Sequence, residues 1–453
     1  MLRTLISVTI ITSLLVTSCN KEDDLDRLGS INAERPAAIG GTYLSGYQDG
    51  ALYRKGQELS IAGLLFKQLE QYEGGAFEIP FITTEAEQGI GINTKFWEST
   101  FQTKSSLGTR VDCLGEASLG PVKDLHLGIN LPDLENNPTF SGQYQCIPFG
   151  TLKNFVSPSF GLSMNDGNTN PYYHRWAKEP GVSTVVGELE NYNPSFLLAW
   201  LGVDEILNYA ISGGQGTPIP SATVFKNRLD SILGVLSADE LQGVIANIPA
   251  IDELPYFNLV AYNSPNLSNN QAISLNSQYT SSGYTHVSFQ PGVNPFVMFD
   301  PTHPEGFRQM VAGEKLMLSA PLDSIKCGSH GLLYFNGENL LSQMHTLTVF
   351  QMAAIKEAIA SYNIAIREIA DQYDLAFFDA HAFFKETASG IKWNGADFDF
   401  EFVSGGFLSL DGLNPNQKGY ALLTNGFIEA INQKYGSNIP NVNCTECDGV
   451  LFP

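Results

Sequence analysis

The cysteines are the side chains whose type and spacing most directly suggest chemistry. Cys444 and Cys447 have the CxxC spacing of zinc and redox sites, but neither a second such pair nor a histidine pair accompanies them. Redox pairs usually open a helix, whereas this one lies in a tail rich in Pro and Asn. We therefore expect disulfides, with the connectivity left open. The candidates are Cys113, Cys146, Cys327, Cys444 and Cys447.

Acidic side chains form a second candidate group. Asp204, Glu205 and Asp411 could provide a carboxylate pair for acid–base chemistry or oxygen ligands for calcium. Their spacing favours neither role over ordinary solvated charge. The sequence therefore predicts no metal site and no cofactor.

Alternating strand and helix signals predict that an α/β fold with a parallel sheet positions these residues. Apolar segments predict strands at residues 37–39, 196–201, 243–248, 315–320 and 375–378, and helical spacing predicts helices from about Ser60 and over residues 355–373. Polar stretches at 145–190 and 262–312 are expected to be insertions that cap one end of the sheet. We predict one domain over residues 36–442 and a cysteine-containing tail at 443–453.

The first residues predict export and lipidation. Arg3 precedes an apolar stretch from Leu5 to Val16, and the segment ending at Cys19 is similar to a lipobox. A signal peptide of residues 1–18 would be removed, leaving lipidated Cys19 on a tether that extends to residue 35. The residues after Cys19 resemble the signal that sends lipoproteins of Bacteroidetes-type bacteria to the cell surface, so we expect a lipid-anchored, surface-exposed protein of the outer membrane. These residues are Lys21, Glu22, Asp23 and Asp24.

Composition excludes several classes of protein. The 453 residues are 43% hydrophobic and 11% aromatic, which is enough for a large core and excludes a disordered chain. The net charge is −22, from 47 acidic and 25 basic residues, and no basic cluster offers a local exception. Nucleic acid would therefore be repelled.

A set of short motifs resembles the SGNH, or GDSL, hydrolases, specifically their outer-membrane lipoprotein branch in Bacteroidetes-type bacteria. The motifs are the segments at residues 46–53 (GYQDGALY), 170–173 (NPYY), 199–202 (AWLG), 243–249 (GVIANIP), 294–296 (NPF), 411–413 (DGL) and 419–421 (GYA). The resemblance covers residues 36 to about 442. It implies a flavodoxin-like three-layer sandwich with a parallel central sheet.

The same resemblance implies where a catalytic site should lie. Active members use a serine nucleophile, a histidine three residues after an aspartate, and an oxyanion hole that includes an asparagine. This chain keeps the aspartate as Asp411 but departs from the pattern at the other positions. Thr42 stands at the nucleophile, Leu131 at a glycine, Asp204 at the asparagine and Asn414 at the histidine. Because an amide cannot accept a proton near neutral pH, the resemblance implies that no catalytic residues remain.

The expected function is therefore that of a catalytically inactive surface lipoprotein. By resemblance, it would be an accessory or structural subunit of an outer-membrane β-barrel complex, either of the fatty-acid-transporter type or of the assembly machinery, with a vestigial cleft able to hold a lipid or glycan. A divergent esterase or lipase with a relocated base is the alternative, and a carbohydrate-binding surface protein is a third. The candidate bases are His126, His174, His286, His303, His330, His345 and His381.

Overall fold

The computed structural model describes residues 27–83, 88–92, 101–123, 126–127, 132–163, 169–237, 241–333 and 339–453. Several expectations fall on residues outside this description. They concern Cys19, Lys21, Glu22, Asp23, Asp24, Leu131 and the side chain of His126.

The strands, numbered in chain order, are mostly short. They are β1 (Pro36–Gly40), β2 (Gly91–Ile92), β3 (Phe101–Gln102), β4 (Ser105–Val111), β5 (Ala117–Lys123), β6 (His126–Leu127), β7 (Tyr144–Cys146), β8 (Phe196–Trp200), β9 (Gln242–Ala246), β10 (Asn266–Leu267), β11 (Gly292–Val293), β12 (Val297–Phe299), β13 (Phe307–Gln309), β14 (Lys315–Leu316), β15 (Thr346–Leu347), β16 (Ala376–Phe378), β17 (Ile391–Trp393) and β18 (Ala396–Phe398).

The α-helices vary more in length. They are α1 (Thr42–Ser45), α2 (Arg54–Glu58), α3 (Ile61–Glu70), α4 (Leu152–Phe155), α5 (Pro171–His174), α6 (Val185–Tyr192), α7 (Val203–Ile211), α8 (Ala222–Leu236), α9 (Pro255–Asn258), α10 (Asn269–Ser281), α11 (Leu322–Gly328), α12 (Val349–Gln372), α13 (Ala380–Ala388) and α14 (Gln417–Tyr435).

A five-stranded parallel sheet forms the centre of the fold. Its order is β16-β9-β8-β1-β7, and all of its pairings are parallel. Numbered along the chain within this sheet, the order is 2-1-3-4-5, which is the flavodoxin-like order. The predicted α/β class with a parallel sheet is therefore confirmed.

The central strands are apolar because they are covered on both faces. All residues of β1 and β8 are buried, which explains why these segments are continuous apolar runs rather than alternating ones. Helices α3 and α14 pack against each other, while α12 packs against α8 and α7. Two helix groups beside one sheet are consistent with a three-layer arrangement.

Helix boundaries follow local chemistry. The Ser60 side chain accepts a hydrogen bond from the amide of Gly63, so α3 begins where the sequence predicted. Thr348 and Gln351 form a capping box at the start of α12, whose buried face carries the residues with helical spacing. Both predicted helices are confirmed, as are the strands that became β1, β8, β9 and β16.

Two structural predictions are wrong. The segment at 315–320 does not form a central strand, because only Lys315–Leu316 is extended and it pairs with β15 in a separate antiparallel ribbon. The stretch at 145–190 is not simply an insertion either, since it begins within β7, the edge strand of the central sheet. Gln145 is buried there and accepts a hydrogen bond from the Trp176 indole.

The stretch at 262–312 contains elements of its own. It forms the β10–β11 and β12–β13 ribbons and helix α10. An apolar cluster that includes Leu275, Tyr279 and Phe307 joins them. Among the helices of the described ranges, none combines the length and apolarity needed to cross a membrane.

Of the five candidate cysteines, two form a disulfide and three are free thiols. Cys113 and Cys327 form a disulfide that joins the β4–β5 hairpin to α11. The expected disulfide in the C-terminal tail is not present, because Cys444 and Cys447 are buried free thiols, as is Cys146. The tail is held instead by Asn425, whose side chain donates to the carbonyl of Val442 and accepts from its amide.

Candidate functional site

The ends of three neighbouring strands bring the candidate site together. Thr42 follows β1, Asp204 follows β8, and Phe149 lies three residues after β7. Because β1 lies between β7 and β8 and all three are parallel, their carboxyl ends meet at one edge of the sheet. In open α/β sheets, ligands bind at this edge, at the point where the strand order reverses.

Thr42 is bound to Asp204 through both of its polar groups. Its backbone amide donates to Asp204 Oδ2 at 2.9 Å, and its hydroxyl donates to Asp204 Oδ1 at 2.5 Å. The hydroxyl oxygen also accepts a hydrogen bond from the amide of Phe149 at 2.9 Å. The threonine hydroxyl is therefore both a donor and an acceptor within the protein, and its proton points to a carboxylate.

The Asp204 carboxylate fills the space beside the turn after β1. A Cβ placed on Gly41 would lie 1.5 Å from Asp204 Oδ2, so the carboxylate rests directly against the glycine backbone. Thr42 is 0% exposed and Asp204 is 1% exposed. A substrate could reach the hydroxyl only if this packing opened.

Burial dominates the electrostatics of the two acids at the start of α7. It raises the pKa of Asp204 to about 7, although hydrogen bonds from Thr42 and the Phe149 amide oppose the rise. Burial also raises the pKa of Glu205 to about 7, and the neighbouring charge of Asp204 adds to this effect. Glu205 Oε1 accepts from the amide of Leu152 at 2.6 Å, while its Oε2 is buried without a hydrogen-bond partner in the described chain.

Asp411 and Asn414 form a closed pair in the loop before α14. Asp411 Oδ1 accepts from the amide of Asn414, and the Asn414 side-chain amide donates to Asp411 Oδ2, both at 2.8 Å. Asp411 Oδ2 also accepts from the amide of Gly50. Asn414 Oδ1 is buried and lacks a hydrogen-bond partner among the described residues. Asp411 thus orients Asn414, but Asn414 can supply no basic nitrogen.

None of the histidine side chains that the structure describes hydrogen-bonds to Thr42. His381 contacts the carbonyl of Ile248, His174 contacts the carbonyl of Gly161, and His345 contacts Ser319. The partners of the threonine hydroxyl are Asp204 and Phe149 instead. A relocated histidine base is therefore not found in this part of the chain.

Comparison with known proteins gives no family for this geometry. No protein-family model matches the chain, and no curated protein matches it. Within the described ranges, no group of three or more His, Cys, Asp or Glu side chains is placed to hold a metal ion. Burial raises the pKa of Cys444 to about 12, the opposite of the lowered thiol pKa that is typical of reactive cysteines.

Sequence reasoning missed the contribution of Phe149. A signal for it was present, because the motif that begins at Asn170 positions this loop. The Asn170 side chain donates to the carbonyl of Pro148 and accepts from the amides of Tyr172 and Tyr173. One asparagine therefore caps α5 and fixes the backbone immediately before Phe149.

Proposed function

We propose that this chain is a catalytically inactive relative of the SGNH hydrolases that serves as a surface lipoprotein subunit of an outer-membrane β-barrel complex. The hydrogen bonding of Thr42 carries the first half of this proposal. In an active relative, the amide of this residue would stabilise the oxyanion and its hydroxyl would attack the substrate. Here both groups donate to one buried carboxylate.

The charge of Asp204 adds a second obstacle to catalysis. An ionised carboxylate at this place would repel the negative oxygen that develops during ester hydrolysis, and loss of a single oxyanion donor alone costs about 2.7–4 kcal/mol. The side chain that hydrogen-bonds to Asp411 from position 414 is an amide rather than an imidazole. At this edge of the sheet, the Thr42 amide is already bound to a carboxylate, position 414 provides no base, and burial of Thr42 keeps substrate from its hydroxyl.

The membrane half of the proposal is supported by the sequence of the first residues. The segment ending at Cys19 predicts lipidation, and the acidic residues that follow favour export to the cell surface. The β-barrel partner, whether a transporter of the fatty-acid type or assembly machinery, is proposed from the resemblance alone.

One specific contact favours a second candidate function, a divergent esterase. Asp204 could itself be the relocated base, since it accepts the Thr42 proton at 2.5 Å and its pKa is about 7. Thr42 Oγ would attack the ester carbonyl, Asp204 would take the hydroxyl proton and return it to the leaving alcohol, and water would then hydrolyse the acyl-threonine. This reaction requires the packing around Gly41 to open.

A fluorophosphonate probe distinguishes the two candidates. We expect neither labelling of the folded chain nor hydrolysis of p-nitrophenyl butyrate above the level of the Thr42→Val variant. A commercial serine esterase provides the positive control. Labelling that disappears in Thr42→Val would establish the esterase and overturn the inactive assignment.

A separate experiment tests the partner. The native lipoprotein is extracted in mild detergent and purified by affinity, with a variant carrying Cys19→Ala as the control that lacks the proposed anchor. We expect a β-barrel protein to copurify with the native chain and to be depleted with the control. Recovery of a lone monomer would contradict the proposed complex while leaving the catalytic assignment standing.

A further inference from the structure

Helix α8 and the end of α4 border an open surface cavity whose lining does not include Thr42 or Asp204. Its volume is about 340 Å³, and it is lined by Val156, Val224, Asn227, Arg228 and Ser231. Four of these residues lie on α8 at helical spacing, so they form one stripe along a single face of the helix. Val156 is the C-cap residue of α4 and lines the same cavity.

Arg228 is unusual among the arginines of this protein. Every other arginine in the described chain donates a hydrogen bond to a carboxylate or a carbonyl oxygen. Arg228 makes no such bond and no ion pair within that part of the chain. The nearby Lys226, on the same helix, is paired with Glu368 at 2.6 Å. Because the chain has a net charge of −22, acidic side chains are abundant, yet this guanidinium in the cavity lining is paired with none of them in the described chain.

The other residues that line the cavity are partly apolar and partly polar. Val156 is 48% exposed and Val224 is 40% exposed, so both present apolar surface. The Ser231 hydroxyl donates to the carbonyl of Asn227, which leaves its oxygen able to accept. Glu205 interacts electrostatically with Arg228 but forms no ion pair with it. The cavity thus combines an apolar surface, a cation with five N–H donors and a side-chain amide.

We propose that this cavity binds a small carboxylate that carries an apolar tail, with the Arg228 guanidinium on the carboxylate and the tail against Val156 and Val224. A guanidinium matches a carboxylate in shape, because two parallel N–H groups meet its two oxygens. The volume lies at the low end of the range of about 300–1,000 Å³ for ligand pockets, which favours a small ligand. This site does not depend on the function proposed for Thr42.

Calorimetry on the full chain tests the site with three ligands of one shape. The ligands are 3-phenylpropanoate, its neutral alcohol and its ammonium analogue. We expect saturable binding of the carboxylate only, and a dissociation constant that rises about tenfold or more in Arg228→Gln because a charge-assisted hydrogen bond is lost. Lys226→Gln removes one positive charge from the same helix and should leave the binding unchanged.

A second variant keeps the test independent of any folding defect in the first. Val224→Asp places a like charge on the apolar wall and should also abolish binding, while the circular dichroism of the chain stays that of the parent. Equal affinity of the parent and Arg228→Gln for the carboxylate would overturn the proposal. So would equal binding of the alcohol and the carboxylate, or the absence of saturable binding in the parent.

Discussion

Replacing Glu205 by glutamine should stabilise this protein at high pH but not at low pH. The Glu205 side chain is buried, with Oε1 accepting from the amide of Leu152 and Oε2 lacking a hydrogen-bond partner among the described residues. A glutamine has the same shape, can keep the bond from Leu152, and places its amide nitrogen where the second oxygen was. The substitution therefore removes an ionisable group with little change in packing.

The sign follows from the direction of the pKa shift. Burial raises the folded pKa of Glu205 from 4.5 to about 7. Above the folded pKa, both the folded and unfolded glutamates are ionised, and the folded protein bears the cost of a buried charge. Below the unfolded pKa both are neutral and the cost vanishes. Wild-type stability should thus fall as the pH rises from about 4.5 to 7, and Glu205→Gln should not show this part of the decline.

The magnitude can be worked from the same pKa values. The folded pKa exceeds the unfolded one by about 2.5, and each pKa unit corresponds to 1.36 kcal/mol, which gives about 3.4 kcal/mol. Part of this belongs to the repulsion between Glu205 and Asp204, and attraction to Arg228 offsets some of the burial. We therefore expect about 2–3 kcal/mol of extra stability for the variant at pH 8 relative to pH 4.5.

Urea unfolding followed by tryptophan fluorescence measures this difference. Midpoints are compared for the parent and Glu205→Gln at several pH values, with Glu357→Gln as the control because Glu357 is an exposed glutamate. A stability difference that is the same at pH 4.5 and pH 8 would refute the reasoning. It would mean that Glu205 is hydrated or paired in solution rather than buried with a free oxygen.

Two further predictions concern parts of the molecule outside the site. Arg308→Met should lower the free energy of unfolding, measured by urea titration, by about 3–5 kcal/mol, because Arg308 is the ion-pair partner of Glu314, whose side chain is 0% exposed. The control is Arg367→Met, which removes an exposed ion pair and should cost under about 1 kcal/mol in the same titration. Cys113→Ser should speed amide hydrogen exchange within residues 105–123 without affecting the central strands, since the disulfide fixes this hairpin to α11. Unchanged exchange in the hairpin would mean that the disulfide does not hold it in place.

The central sheet could be predicted from the sequence where its strands are apolar on both faces. The segments that became β1, β8, β9 and β16 are short apolar runs, and a helix with a clear period precedes β16. β7 escaped prediction because it contains Gln145, whose burial depends on hydrogen bonds to Trp176 and Glu188. Partners that are distant in the chain made a polar residue compatible with a buried strand, and no local pattern reports such partners.

At the site, too, the sequence indicates individual residues but not the contacts that they make with residues distant in the chain. The resemblance to hydrolase motifs drew attention to Thr42, Asp204, Asp411 and Asn414, and the structure places Thr42 and Asp204 in direct contact. That Asp204 would bind the threonine amide and hydroxyl could not be read from the sequence, because the carboxylate occupies the space that a side chain at Gly41 would fill. In the sequence, Asp204 is only a departure from the motif that the chain resembles, but in the structure its carboxylate is buried and accepts hydrogen bonds from the first residue of α1.

That contact gives a last prediction, in which Gly41 and Asp204 should be energetically coupled. The backbone of Gly41 has φ −101°, outside the left-handed region, so an alanine there meets no conformational barrier of that kind. Its Cβ would instead collide with Asp204 Oδ2. Gly41→Ala must therefore displace the carboxylate, leave the Thr42 donors without their partner, and destabilise the protein by about 1–3 kcal/mol for each unsatisfied group.

A double-mutant cycle isolates this effect from any general cost of the added methyl group. In an Asp204→Ala background the collision is absent, so Gly41→Ala should cost less there, with a coupling energy of about 1–3 kcal/mol in urea unfolding. Gly328→Ala provides the matched control, because a Cβ at that glycine would meet nothing within 4 Å. Strict additivity of the two substitutions at the site would mean that the carboxylate does not rest against Gly41 in solution. The packing around Gly41 would then be open in solution, which is the condition that the esterase candidate requires.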